Sequence, residues 1–276
     1  MSTGPSRMAV GLAFVVVILG ATGCGTAPRG SDSAAQASPR AFGADRVAAE
    51  PVRLRIAVFN VRELSTTKLR RVDDGGAGTD PQVVAAARIV QRVRPDILVV
   101  QEIDHDLSHP DRLEADARCF EESYLASGEQ PIRYPHLFIA PNNTGRLSGI
   151  DLDGDGVVAT AEDEGTRRYG GDCFGYGSYP GQYSMAVLSR LPFDDHRVRT
   201  FQMFRWKDLP GHHIPAELSS EARDGMRLSS KSHWDLPVRV GDRSIHLFVS
   251  HPTPPVFDGP EDLNGRRNFD VILFWL

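Results

Sequence analysis

Two short apolar stretches between residues 54 and 102 each end at a polar side chain. Residues 54–59 are rich in β-forming residues and stop at Asn60, and residues 97–102 form an apolar run that stops at Glu102. An apolar run bounded by turn signals is typical of a strand buried on both faces. Taken alone, Glu102 is better explained as a charge that solvates a strand end. The pattern therefore predicts two strands and leaves the role of Glu102 open.

A helix is predicted between these strands. Asp80 supplies an N-cap and Pro81 occupies the first helical position, while Pro95 disfavours continuation beyond Arg94. Apolar residues recur at helical spacing in between, at Val83, Ala86, Ala87, Val90 and Val93. Strand, helix and strand form an α/β unit, in which ligands bind outside the carboxyl ends of the strands. Asn60 and Glu102 are therefore expected at the same edge of a sheet.

Further elements follow the same logic towards the C-terminus. Residues 111–127 have a helical composition, and residues 185–189 predict another strand. Residues 236–240 and 244–250 flank a short Gly-Asp-Arg turn and predict a hairpin. The second strand of this hairpin ends at His251. The proline-rich segment that follows is rigid and therefore fixes the direction of the chain at His251. On its own, His251 is better explained as a histidine at a sheet edge whose hydrogen bonds are satisfied.

Residues 141–182 form a long Gly- and Asp-rich excursion with no apolar period, and such loops usually have a function or a stabilising device. Within it, residues 151–162 match the calcium loop of an EF-hand, with glycine at the sixth position. The predicted calcium ligands are Asp151, Asp153, Asp155, the Val157 carbonyl and Glu162. An acidic surface turn is the alternative. Because the flanking sequence is not helical, we expect an isolated calcium-type loop.

The N-terminus predicts export. Arg7 precedes an apolar run at residues 8–19, which is too short to span a membrane comfortably and fits a signal peptide of residues 1–24. Small residues before Cys24 resemble a bacterial lipobox, which predicts a lipid anchor at Cys24; plain secretion is the alternative. Residues 25–50 read as a flexible linker. The expected location is the outer face of the cytoplasmic membrane, or the exterior.

The composition of the chain limits the class of protein to which the domain of residues 51–276 can belong. The chain has 276 residues, is 41% hydrophobic and 24% charged, and carries a net charge of −5. This is an ordinary globular composition without the global basic field that recruits nucleic acid. In an oxidising compartment, Cys119 and Cys173 form an even pair. Either a disulfide or two unrelated buried thiols is consistent with the sequence, because the Cα separation is unknown.

An ordered set of motifs gives the chain a family resemblance. Asn60 follows a first strand, Gln101-Glu102 follows a second, and a late strand ends in His251, with the strand 184–190 between them. In this order the chain resembles the endonuclease/exonuclease/phosphatase superfamily from about residue 54 to 276. It is similar in particular to exported bacterial members with a calcium-type loop.

The resemblance implies a fold, a metal and three site residues. The fold is a four-layer α/β/β/α sandwich of two mixed sheets, here expected to be incomplete at its C-terminus. Glu102 would hold magnesium or another divalent metal, Asn60 would orient the scissile phosphate or its metal, and His251 would assist the leaving group. Glu102 is chemically suitable because hard cations prefer oxygen ligands, and a histidine donates protons near neutral pH.

The sequence also departs from the family pattern. The expected Asp-x-Asn after a later strand and the terminal Asp-His pair are missing, since Asp262-Leu263-Asn264 follows a loop rather than an apolar strand. We therefore expect a metal-dependent phosphoester hydrolase that is inactive or impaired as this chain. The substrate would be a nucleic acid, a phospholipid or a small phosphate ester, and no protein partner is predicted. A non-catalytic, calcium-stabilised surface lipoprotein is the alternative.

Overall fold

The computed structural model describes residues 52–106 and 110–276. The predicted signal peptide, Cys24 and the linker lie outside the described residues. The strands are β1 (Ile56–Leu64), β2 (Ile97–Ile103), β3 (His136–Phe138), β4 (Ser184–Ser189), β5 (Arg199–Thr200), β6 (His233–Val240) and β7 (Arg243–Ser250). The α-helices are α1 (Thr66–Leu69), α2 (Pro81–Val93), α3 (Ala115–Cys119), α4 (Arg167–Gly171), α5 (Ser220–Gly225) and α6 (Leu263–Leu273).

The strands form two sheets. The first has the order β1-β2-β4-β3, in which β1 and β2 run parallel while β4 is antiparallel to β2 and to β3. The second is an antiparallel sheet of order β5-β6-β7, and it contains the predicted hairpin. The first sheet is therefore mixed, as the α/β prediction requires.

The first sheet is covered on both faces. Leu98 and Val100 of β2 pack against the apolar side of α2, whereas Ile97 and Val99 point to the opposite side, towards the second sheet. There they meet Trp234, Leu236, Val238, Leu247 and Val249 of the β6–β7 hairpin. Because side chains alternate along a strand, a strand with both sets buried lies between two layers. The prediction of an α/β fold with two packed sheets is confirmed.

Helix α2 begins where the sequence predicts. The Asp80 carboxylate accepts hydrogen bonds from the backbone N–H groups of Gln82 and Val83, and the helix ends in a left-handed C-cap at Arg94 (φ 49°). Residues 111–127, which have a helical composition, do not form one continuous α-helix. That stretch divides into a 3₁₀ turn (Pro110–Arg112), α3 and a π-helical turn (Phe120–Leu125). Tertiary contacts explain the break, since Tyr124 there donates to the backbone of residues 68 and 71.

Buried charges fix helix α6 to the domain. Arg267 donates to the carbonyls of Phe174 (2.6 Å), Arg227 (2.7 Å) and Leu228 (2.9 Å). Asp270, which is fully buried, accepts from the Trp206 indole and from the backbone and ring of His213. Buried polar groups that are satisfied in this way tie one helix to three separate chain segments.

The two cysteines are free. The Cys119 thiol donates to the Leu69 carbonyl, and the Cys173 thiol donates to the Tyr169 carbonyl. Burial raises the pKa of the Cys173 thiol to about 12, so it behaves as a buried apolar group. The interpretation as two unrelated thiols is the one that the structure shows. No helix in residues 52–106 and 110–276 is both long and apolar enough to cross a membrane.

We expect low pH to destabilise the packing of α6 against the domain, because His233 becomes protonated. Its ring is buried against Phe274, with centroids 4.4 Å apart, and its Nε2 lies 3.1 Å from the Val271 carbonyl. Burial lowers the pKa of His233 from 6.5 to about 4. The folded state therefore binds this proton less readily than the unfolded state, and stability present above pH 6.5 is lost as the pH falls towards 4.

Replacing His233 with leucine should remove this acid sensitivity. Between pH 7 and pH 4 the wild type should lose roughly 3 kcal/mol more unfolding free energy than His233→Leu, measured by urea denaturation. The exposed His212, replaced in the same way, serves as the control and should leave the pH dependence unchanged. Equal losses for wild type and His233→Leu would contradict the assignment.

Candidate active site

Glu102 sits in a bulge rather than at a strand end. Strand β2 continues to Ile103, and its pairing with both neighbours shifts between Gln101 and Ile103. The Glu102 backbone adopts a left-handed conformation (φ 65°), which is uncommon for a non-glycine residue. Bulges and strained backbone of this kind redirect side chains and cluster at functional sites. The prediction that the strand stops at Glu102 is wrong by one residue. The bulge interrupts the alternation of side chains at Glu102, whereas the pairing of the strands continues to Ile103.

Asn60 is also inside its strand. β1 extends to Leu64, with a register shift between Asn60 and Leu64 and positive φ at Arg62 and Glu63. Three residues of β1 thus stand opposite the single residue Glu102. The irregular parts of β1 and β2 therefore lie opposite each other and interrupt the regular sheet at Asn60 and Glu102.

The three side chains predicted for the site converge. Asn60 Nδ2 donates to Glu102 Oε1 at 2.8 Å, and His251 Nε2 lies 3.9 Å from the same oxygen. These residues come from β1, from β2 and from the end of β7, so the site joins the two sheets. Gln101 strengthens the junction by donating to the Ser250 carbonyl at 3.0 Å. A structural role for Glu102 as a solvated strand end does not explain this convergence.

A buried lysine adds positive charge beside Glu102. Lys231 is 6% exposed and lies two residues before β6. Burial lowers its pKa to about 8, with Glu102 acting in the opposite direction. His251 is also buried, and burial together with the Lys231 ammonium holds the pKa of His251 well below 6.5. The expected imidazolium is therefore disfavoured, mainly because the ring is buried and in addition because the Lys231 ammonium repels a second positive charge.

Asp104 is a second group that the sequence did not single out. It is 2% exposed and accepts from the Tyr179 hydroxyl (2.7 Å) and from the Thr66 N–H (3.1 Å). Burial raises the pKa of Asp104 to about 6, although both hydrogen bonds act against the shift. A carboxylate two residues beyond Glu102 was visible in the sequence, but its burial and its tyrosine partner arise only from the fold.

The donor set at Glu102 fits a magnesium ion. Magnesium keeps several waters and is commonly held by one or two carboxylates together with substrate phosphates. Glu102 is partly exposed at 23%, and its Oε1 is oriented by Asn60. In the described ranges, no group of three His, Cys, Asp or Glu ligand atoms within 4.8 Å of one another includes Glu102. This composition suits a hydrated magnesium ion and does not suit a closed all-protein cage.

The calcium-type loop brings three predicted ligands together. The carboxylates of Asp151, Asp153 and Asp155 offer oxygens within 4.8 Å of one another. Asp151 accepts from the N–H groups of Gly154 and Gly156, and Gly156 has φ 88°, the conformation that glycine at the sixth position allows. The tight turn thus directs oxygens inward as the spacing predicts.

Glu162 lies outside this acidic group. It belongs to a single 3₁₀ turn (Ala161–Asp163) that Thr160 and Asp163 cap, and its side chain is exposed. One turn does not reach back over the loop as a full exit helix would. The expected closure of the shell by Glu162 is therefore not seen. Val157, whose carbonyl is a predicted ligand, donates its backbone N–H to the Asp155 carboxylate (2.8 Å).

A buried aspartate holds the two ends of this loop. Asp172 accepts from the Leu152 N–H through one oxygen and from the Ala159 N–H through the other, both at 2.7 Å. It is 1% exposed. The loop is thus clamped independently of any cation.

Sequence comparison gives the family. The Endonuclease/Exonuclease/phosphatase family profile matches residues 57–267, about three quarters of the chain. The chain belongs to this family. A solved structure, an endonuclease/exonuclease/phosphatase from Beutenbergia cavernae DSM 12333, shares 17% identity with a TM-score of 0.37; the match covers 81% of this chain and 44% of that one. The chain thus spans less than half the length of that relative. No curated protein matches the chain.

Proposed function

We propose that the site at Glu102 performs metal-dependent phosphoester hydrolysis with magnesium. The observation that carries the proposal is the convergence of Asn60, Glu102 and His251 from three strands of two sheets. A strained bulge residue held by an amide and placed beside a buried histidine has no evident structural purpose. Family membership supports the phosphoester class of substrate.

Each residue has a separate task in this proposal. Glu102 would hold the metal, which supplies Lewis-acid stabilisation of phosphoryl charge. Asn60 orients the carboxylate by donating to Oε1, which leaves Oε2 free of that bond. His251 Nε2 stands 3.9 Å from the carboxylate, where a neutral imidazole either donates a hydrogen bond to a phosphoryl oxygen or accepts one from a water.

We propose that turnover by this chain is slow. Burial and the Lys231 ammonium hold the pKa of His251 well below 6.5, so the described site has only a weak proton donor for the leaving group. In the part of the chain that the structure describes, Glu102 also has no pair of further acidic or imidazole ligands. Binding of metal and phosphoryl group alone lowers the barrier much less than binding with general acid–base assistance.

The test is hydrolysis of bis(p-nitrophenyl) phosphate with magnesium, with and without a chelator. The expected result is a slow rate that the chelator removes. A rate that does not respond to the chelator would contradict metal dependence. A fast rate, with turnover above about 1 per second as in ordinary enzymes, would contradict the impaired-site proposal.

A non-catalytic binding module is the second candidate. The calcium-type loop is compatible with both candidates, because a cation can stabilise a surface protein whether or not that protein has an active site. The convergence at Glu102 argues against it, since binding of calcium at the 151–162 loop does not require Asn60, Glu102 and His251 together. Absence of any magnesium binding at Glu102 would favour the binding module.

We also propose that the 151–162 loop binds calcium and that the protein is exported and held at the membrane by a lipid on Cys24. The three converging aspartates and Gly156 support the first part. Residues 8–24 of the sequence support the second. Mass spectrometry of the protein from a membrane fraction, with Cys24→Ser as the control, tests the anchor: loss of the lipid mass and of membrane association is expected.

A further inference from the structure

Lys231 is held in a rigid stretch at the active-site end of the β6–β7 hairpin. His233 pairs with Ser250, so the residues just before β6 and just after β7 lie side by side. Lys231 precedes His233 by two positions, and His251 directly follows Ser250. The Ser250 carbonyl accepts from Gln101, the neighbour of Glu102. Lys231, His251 and Glu102 therefore share one end of the sandwich.

The backbone around Lys231 is fixed by buried polar groups. Asn143, which is fully buried, donates its N–H to the Lys231 carbonyl (2.9 Å) and its amide to the Ser229 carbonyl (2.8 Å). The Thr144 hydroxyl donates to the Ser230 carbonyl (3.1 Å). Gly175 packs on the same carbonyl so closely that a Cβ would lie 1.8 Å away. The stretch is therefore positioned by three residues, Asn143, Thr144 and Gly175.

The Lys231 ammonium is buried and makes fewer hydrogen bonds than its donors allow. Its Nζ donates to the Ser230 hydroxyl at 3.3 Å, and within residues 52–106 and 110–276 no carboxylate lies within 4.0 Å of it. An ammonium has three donors. Burying such a charge is costly unless it is paired. Among the described residues, the fold thus buries a cation without a close carboxylate partner at the same end of the sandwich as Glu102, which is the arrangement expected for an anion that arrives with the substrate.

We propose that Lys231 is a substrate-contacting residue of this site and that its ammonium binds a non-bridging oxygen of the phosphoryl group. The inference rests on the proposed function, because it takes a phosphoester as the ligand. Lysine is a suitable phosphate binder as a compact point charge on a flexible stem. A carboxylate and a metal on one side with an ammonium on the other would hold the phosphoryl group between them.

Binding of inorganic phosphate tests the inference without requiring turnover. Isothermal titration calorimetry with magnesium present should show phosphate binding to the wild type and a loss of about 10- to 100-fold in affinity for Lys231→Met. Lys207→Met, which removes the cation of a surface pair with Asp224, is the matched control and should bind as the wild type does. The wild-type affinity should also fall more steeply with salt than that of Lys231→Met, a difference that a purely structural role would not produce.

The variant is expected to fold, because methionine fills nearly the same volume and removes a buried charge. Lys231→Gln gives a second neutral variant, and near-ultraviolet circular dichroism reports the packing of both. Phosphate affinity within twofold of the wild type in either folded variant, or no phosphate binding by the wild type, would overturn the inference.

The outcomes separate the inference from the proposed function. If phosphate binding depends on Lys231 but no chelator-sensitive hydrolysis is found, the inference stands and the hydrolytic function fails. If hydrolysis depends on Glu102 while Lys231→Met keeps the wild-type kcat/KM and phosphate affinity, the function stands and the inference fails.

Discussion

Replacing Glu102 with glutamine is expected to weaken magnesium binding at least about 100-fold and to remove the chelator-sensitive hydrolysis. Loss of groups that merely support a metal ligand costs about 10- to 100-fold, and loss of the ligand charge itself should cost more. Glutamine keeps an Oε1 that accepts the Asn60 amide, and it suits the same bulge geometry. The melting temperature should therefore stay within about 2 °C of the wild-type value, since the substitution keeps the shape of the side chain and this hydrogen bond.

The measurement needs a background in which the acidic loop no longer binds cations. Magnesium titration by calorimetry is therefore done in an Asp153→Asn/Asp155→Asn chain, with and without Glu102→Gln. Glu114→Gln, which removes an exposed carboxylate paired with Arg118, is the control and should leave binding and rate unchanged. Magnesium affinity that survives Glu102→Gln would show that the metal lies elsewhere.

Calcium is expected to raise the melting temperature by roughly 5–10 °C when supplied at about 100 times its dissociation constant. A ligand that binds only the folded state adds about 2.7 kcal/mol at this concentration, and a domain of this size gains about 2–4 °C per kcal/mol. The physical cause is the repulsion among Asp151, Asp153 and Asp155, which a divalent cation removes. In its absence Arg168 compensates only in part, with its Nε 3.5 Å from Asp155.

The Asp153→Asn/Asp155→Asn chain should show no calcium shift, whereas Glu102→Gln should keep it. This crossed pair of variants assigns each cation to its own site. Asp242→Asn, at the distant hairpin turn between β6 and β7, is the charge-matched control. A calcium shift that persists in the loop variant, or none in the wild type, would leave the loop as an acidic surface turn.

Local pattern accounts for the elements that were predicted well. Asp80-Pro81 and the apolar spacing behind them determine α2, because capping and a helical stripe act over a few residues. The doubly apolar run of β2 likewise determines a buried strand. The order of Asn60, Gln101-Glu102 and His251 was enough to indicate the family that the sequence comparison shows.

Long-range contacts decided what the sequence left open. Whether Cys119 and Cys173 meet depends on distances across the fold, and each thiol instead bonds a nearby carbonyl. The division of residues 111–127 reflects where Tyr124 finds partners some fifty residues away in the chain.

The sequence by itself determined the α/β class, the strands that carry Asn60, Glu102 and His251, and the inward turn of the acidic loop. Only the tertiary structure decided that Glu102 occupies a left-handed bulge and that Lys231 lies buried beside it. The physical reason is that strand and helix patterns arise from neighbouring residues, whereas the charge around a carboxylate depends on side chains brought from distant segments by the packing of two sheets.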